Sequence, residues 1–144
     1  MANLWNGVIT TAVAGSTSAP RRFRRQGLDM PRAMLCQGTF VYGSGGTSGT
    51  FWVQTSLDGG LTWADVFAFG VTTASLRQIM NIVAGTPKLA PITLTDGALT
   101  VNTAIDALIG DLWRVKWTTV GTYAGNTQMS IDLGPGNLVP AANE

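Results

Sequence analysis

Eight residues, Ser56-Leu57-Asp58-Gly59-Gly60-Leu61-Thr62-Trp63, constrain this chain more than any other stretch. They join two β-prone runs, Phe51-Trp52-Val53-Gln54-Thr55 and Leu61-Thr62-Trp63-Ala64-Asp65-Val66-Phe67. Asp-Gly-Gly between such runs supplies the positive φ angles of a tight turn, so the segment predicts a hairpin over roughly 50–57 and 61–69. The Asp58 carboxylate is expected to accept backbone N–H groups inside the turn, with Trp63 packed over it. A hairpin of this kind needs a second sheet or further strands to bury its apolar face.

At every defining position, Ser56, Asp58, Gly60, Thr62 and Trp63, the segment fits S-x-D-x-G-x-T-W. It thereby resembles the Asp-box turns of sialidases and other β-proteins. That resemblance implies a structural turn and no particular activity. A sialidase-type propeller would repeat such turns blade after blade in a much longer chain, and the 144 residues here carry one copy.

Catalytic groups are scarce. There is no histidine, which removes the usual general base and the commonest metal ligand. The acids are Asp29, Asp58, Asp65, Asp96, Asp106, Asp111, Asp132 and Glu144, and nothing in their spacing favours the paired carboxylates of a glycosidase. Gly43 to Gly49 is rich in glycine but lacks the Gly-Lys-Ser/Thr ending of a phosphate-binding loop. The one cysteine, Cys36, excludes an internal disulfide and reads as a buried thiol. The expectation is a protein that is not an enzyme and binds no cofactor or metal. No run approaches 18 apolar residues, and Met1 to Asn6 lacks a basic, apolar leader pattern, so neither a membrane span nor a secretory signal is expected.

Charged residues make up 12% of the chain, about half the usual share, while apolar residues reach 45% and include five Trp. Two readings follow: a neutral, Thr-rich β-domain, or a subunit that buries apolar surface against partners. The second is favoured, because so many Trp accompany so few charges.

Along the chain, residues 1–32 read as an extended N-terminal arm and an Arg-rich loop, 33–134 as the β-domain and 135–144 as a flexible tail. Residues 75–84 carry apolar residues at helical spacing but are assigned to a strand, because they lie between hairpins. Thr95-Asp96-Gly97 is a second hairpin signal between 91–94 and 98–103, and 104–110 reads as a turn or a helical turn. In 111–120, Trp113, Val115 and Trp117 alternate with Arg114, Lys116 and Thr118. About eight short strands with little helix predict an all-β, single-domain antiparallel sandwich or jelly roll.

Arg21-Arg22-Phe23-Arg24-Arg25 admits three readings: docking on an acidic protein surface, a solvated loop, or phosphate contact with Phe23 stacked on a base. The rest of the chain is not basic, so nucleic acid is the weakest of the three. Trp52 alternates with Phe51 and Val53 and is expected to be exposed or buried in an interface. The remaining aromatics read as core, with a sugar-stacking platform as the alternative.

From Thr39 through Leu133 the chain resembles small structural proteins of tailed bacteriophages. The carrying elements are Thr55–Trp63 and Leu112-Trp113-Arg114-Val115-Lys116-Trp117-Thr118-Thr119-Val120-Gly121-Thr122-Tyr123-Ala124-Gly125. The resemblance implies a virion component assembled in the host cytoplasm. A capsid decoration (cement) protein that binds the major capsid protein as a dimer or trimer is favoured over a head–tail or tail accessory protein. On that reading the N-terminal strand with Trp5 and the Arg21–Arg25 loop face the shell, and removal of residues 1–25 leaves the sandwich folded. The alternative is a host-attachment module that binds glycans.

Overall fold

The computed structural model describes residues 2–23, 33–83, 87–106, 108–134 and 138–140. It is an all-β fold of antiparallel sheets packed face to face, and the described residues contain no helix. The strands are β1 (Ala2–Val8), β2 (Val13–Thr17), β3 (Arg21–Phe23), β4 (Ala33–Val41), β5 (Ser44–Gly45), β6 (Ser48–Ser56), β7 (Ala64–Val71), β8 (Leu76–Val83), β9 (Thr103–Ala104), β10 (Leu112–Val120), β11 (Tyr123–Ala124), β12 (Gln128–Gly134) and β13 (Leu138–Pro140). One sheet runs β1-β12-β4-β8. The other runs β13-β3-β10-β6-β7-β9, with β2 also beside β10, and β5 and β11 form a small clip.

Two burial patterns separate the sheets. In β4 buried and more exposed residues alternate, as expected where one face meets the core and the other is open. In β6 and β7 nearly every residue is buried, because residues 95–102 lie across their outer face. The core between the sheets holds Leu4, Met34, Cys36, Phe40, Phe51, Val53, Phe67, Phe69, Trp113, Val115, Met129, Ile131 and Leu133. The expected alternation in β10 is present: Trp113 and Val115 are fully buried, whereas Arg114 and Lys116 lie on the outer face.

Several expectations change. Within 75–84, Leu76–Val83 form a strand, and the helical spacing is incidental: Leu76, Gln78, Met80 and Ile82 point inward along β8. Thr95-Asp96-Gly97 does not join two strands, since the described residues from 87 to 102 form no strand at all. The segment is a cover held by side chains. The N-terminal segment is extended, but it lies on the sandwich rather than projecting from it. β1 pairs with β12 and buries Leu4, and β2 and β3 pair with β10. Removing residues 1–25 would strip both sheets, so the sandwich would not survive that truncation. Of the expected tail, Leu138–Pro140 pairs with β3, and 135–137 and 141–144 lie outside the described residues.

Candidate functional site

The β6–β7 turn is built by short side chains. Ser56 Oγ donates to Asp58 Oδ1 at 2.9 Å and accepts the Gly60 N–H at 2.8 Å. Thr62 donates its N–H to Asp58 Oδ1 at 2.9 Å and its hydroxyl to Oδ2. Gly59 and Gly60 take φ of 75° and 96°, the left-handed region that glycine enters without a Cβ clash. The Thr62 hydroxyl and N–H lower the Asp58 pKa from 3.8 to about 2. The turn thus gathers Ser56, Asp58, Gly60 and Thr62 as expected. Trp63 has a contact that the sequence did not suggest: the Arg114 guanidinium lies over its ring at 4.4 Å, a cation–π geometry.

Arg114 belongs to a polar cluster on the outer face of the larger sheet. Asp65 on β7 is fully buried, and so is Gln54 opposite it on β6. The Asp65 carboxylate accepts bonds from Gln54 Nε2 and Thr95 Oγ1 at 2.8 Å and from the N–H groups of Gly97, Ala98 and Leu99 at 2.9–3.1 Å. Burial pushes the Asp65 pKa up, but the donors of Gln54, Ala98, Gly97 and Thr95 outweigh it and hold the group below the ordinary range. Gln54 Nε2 also reaches Asp96 Oδ1 at 2.7 Å, and Gln54 Oε1 accepts from Arg114 Nε at 2.8 Å. Lys116 Nζ closes the cluster on Asp96 Oδ1 at 2.9 Å. Burial also raises the Asp96 pKa, and Gln54, Lys116 and Arg114 bring it below the ordinary value. Two ionised carboxylates joined by an amide make a fastener. Neither is shifted upward as a general acid near neutral pH would be.

The sequence reading missed Asp65 and Gln54 as partners. A signal was present: two polar residues interrupt facing apolar runs, and a buried acid must collect donors from somewhere. The donors come from a segment thirty residues away, which spacing alone does not reveal.

The proposed contact residues are dispersed. Trp5 is half-buried and stacks on Trp117 with ring centroids 4.4 Å apart, and it tilts against Phe51. It joins the two sheets. Trp52 is 9% exposed, and its cover is this chain's own loop, since Nε1–H donates to the Leu99 carbonyl at 3.0 Å. Arg21 and Arg22 lie on β3 between β10 and β13, and Arg22 pairs with Asp111 at 2.7 Å. Arg24, Arg25 and the Phe23 side chain lie outside the described residues. No sugar-stacking row of Trp forms, because Trp113 is buried and Trp117 is stacked by Trp5.

The fold defines the class, an antiparallel β-sandwich with one polar-fastened cover. No protein-family model, curated protein or solved structure matches the chain.

Proposed function

We propose that this protein is a structural component of a virion, a capsid decoration protein that binds the major capsid protein and braces the shell. The carrying observation is how the chain uses its acids. Every carboxylate among the described residues takes part in an intrachain hydrogen bond or ion pair, and all but Asp58 tie together segments distant in sequence. Asp58 closes its turn, Asp65 and Asp96 hold the cover, and Asp106 takes the Val83 N–H. Asp111 holds Arg22, and Asp132 takes Asn3 Nδ2. Such a molecule uses its charge for cohesion and presents a weakly charged, partly apolar exterior, which suits contact with other protein surfaces. Val8, Val41, Leu57, Leu61, Ile79 and Leu89 are exposed on it. The resemblance of residues 39–133 to tailed-phage structural proteins supplies the class of partner.

The test is co-sedimentation of purified protein with capsids that lack it. Saturable binding in proportion to shell subunits is expected, and protein that stays in the supernatant overturns the reading. A glycan reading has one observation in its favour, a depression of about 260 Å³ beside the turn, lined by Thr55, Leu57, Thr62, Trp63, Ala64 and Leu94. Binding to a glycan array that is lost in Trp63→Ala, without capsid binding, would favour it instead.

A further inference from the structure

The open edges of the sandwich are not alike. β1 carries a register shift between Asn3 and Trp5, and the β2–β10 pairing is interrupted between Trp117 and Thr119. β9 is two residues long and β13 three. Shortness and bulges are the usual ways of making an edge unfit for pairing with another chain. β8 has neither. Its eight residues run in unbroken register along β4, from Leu76 opposite Phe40 to Val83 opposite Ala33. Its sequence, LRQIMNIV, holds one charge, Arg77, and no proline.

The Val83 N–H points away from β4, since it donates to Asp106 Oδ1 at 2.6 Å. By the alternation of an antiparallel ladder, the N–H and C=O groups of Arg77, Ile79 and Asn81 face the same open side. Ile79 beside them is 56% exposed. The inward side chain between Arg77 and Ile79 is Gln78, and its Oε1 is buried with no hydrogen-bond donor among the described residues. Gln78 lines a cleft of about 280 Å³ at this edge, with Phe69, Ile79, Met80 and Asn102. A buried amide oxygen without a donor is costly, and its natural remedy is a donor brought by whatever occupies the edge.

We propose that two copies of this chain pair edge to edge through β8, antiparallel about a twofold axis at Gln78. The two four-stranded sheets then become one sheet of eight strands. In this register Gln78 faces Gln78 of the partner subunit in a non-hydrogen-bonded pair, where side chains approach most closely. Each primary amide donates through Nε2 and accepts through Oε1, so the two satisfy each other. Arg77 falls opposite Ile79 of the partner subunit. That keeps the two guanidinium groups from facing each other and lays the arginine stem over the exposed isoleucine. A second copy is the occupant that fits, because the edge is self-complementary: one uncharged amide at the axis, no acid on the strand, and an isologous patch. The pairing stands independently of shell attachment.

Analytical ultracentrifugation of the full chain over a concentration series tests it, together with amide hydrogen exchange. A reversible species of twice the chain mass is expected, with exchange at Arg77 and Ile79 slowing as concentration rises. Ile79→Lys should weaken the association by about tenfold or more, since a charge on an edge opposes pairing. Gln78→Cys should cross-link to itself under oxidation, while the wild type, whose Cys36 is buried, should not. The wild-type exchange measurement does not depend on either variant folding. A monomer throughout the series overturns the proposal. So does a dimer whose Arg77 and Ile79 amides exchange as fast as in dilute protein.

Discussion

Two aspartates seven positions apart, Asp58 and Asp65, have different work in this molecule. Asp58 is exposed and organises a turn of its immediate neighbours, whereas Asp65 is buried and gathers donors from a distant segment. Asp65→Asn keeps the shape but sets an amide N–H₂ against backbone N–H donors. The expected loss is about 3 kcal/mol in urea unfolding, within the range for stranding a buried charge-assisted network. Exchange at the Ala98 and Leu99 amides should accelerate in the same variant. Asp58 has a pH signature. Its folded pKa of about 2 lies below the ordinary 3.8, so ionised Asp58 stabilises the fold fully above about pH 4. That contribution is lost as the pH falls through the folded value. Carboxyl NMR titration of Asp58 should give a midpoint near 2, and Asp58→Asn should remove the corresponding part of the acid dependence between pH 4 and 2.

At the scale of elements, the small β5–β11 clip decides how one end of the sandwich closes. Tyr123 on β11 is buried, meets Phe40 edge-on at 5.9 Å, and donates its hydroxyl to the Thr72 carbonyl at 2.8 Å. Burial raises its phenol pKa, and the nearby Tyr42 adds to the effect. Gly46 follows β5 at φ 69°, and a Cβ placed there would sit 2.3 Å from the Tyr123 ring. Neither the backbone angle nor the space admits a side chain. Gly46→Ala is expected to cost about 2–4 kcal/mol, measured by chemical denaturation, because strain and overpacking act together.

The whole molecule is held by long-range antiparallel pairing, which makes its interior a good reporter of global opening. Cys36 is fully buried on β4, and burial, with the Asp132 charge second, pushes its thiol pKa well up. A thiol so placed is protonated and shielded. It should not react with a thiol-specific reagent in native protein, and it should react at once in denaturant. Native-state labelling that follows the global unfolding rate is the expected result, and fast labelling of folded protein would show that the sheets separate locally there. Shell binding belongs to this scale too. Since β1, β2 and β3 are laid into both sheets, contact with a capsid is to be tested by surface substitutions such as Arg21→Glu and not by truncation.

Much of this was legible in the chain. The Asp-Gly-Gly turn, the alternation of β10 and the β-prone runs around short breaks determine a sandwich, because turn chemistry and period-two patterning act over a few residues. A strand within 75–84 is legible from its place between hairpins, and Leu76–Val83 form one, though the spacing taken alone suggests a helix. The sequence did not reveal that Thr95-Asp96-Gly97 is a cover rather than a hairpin, that Trp52 lies beneath it, or that the N-terminal segment is part of both sheets. Nor could it expose β8 as the long, regular open edge. Those outcomes depend on which distant groups meet: Asp65 needs donors once buried, and Trp5 finds Trp117 across more than a hundred residues. Local chemistry sets the elements. Burial and the satisfaction of buried polar groups, which exist only after the sheets close, set everything else.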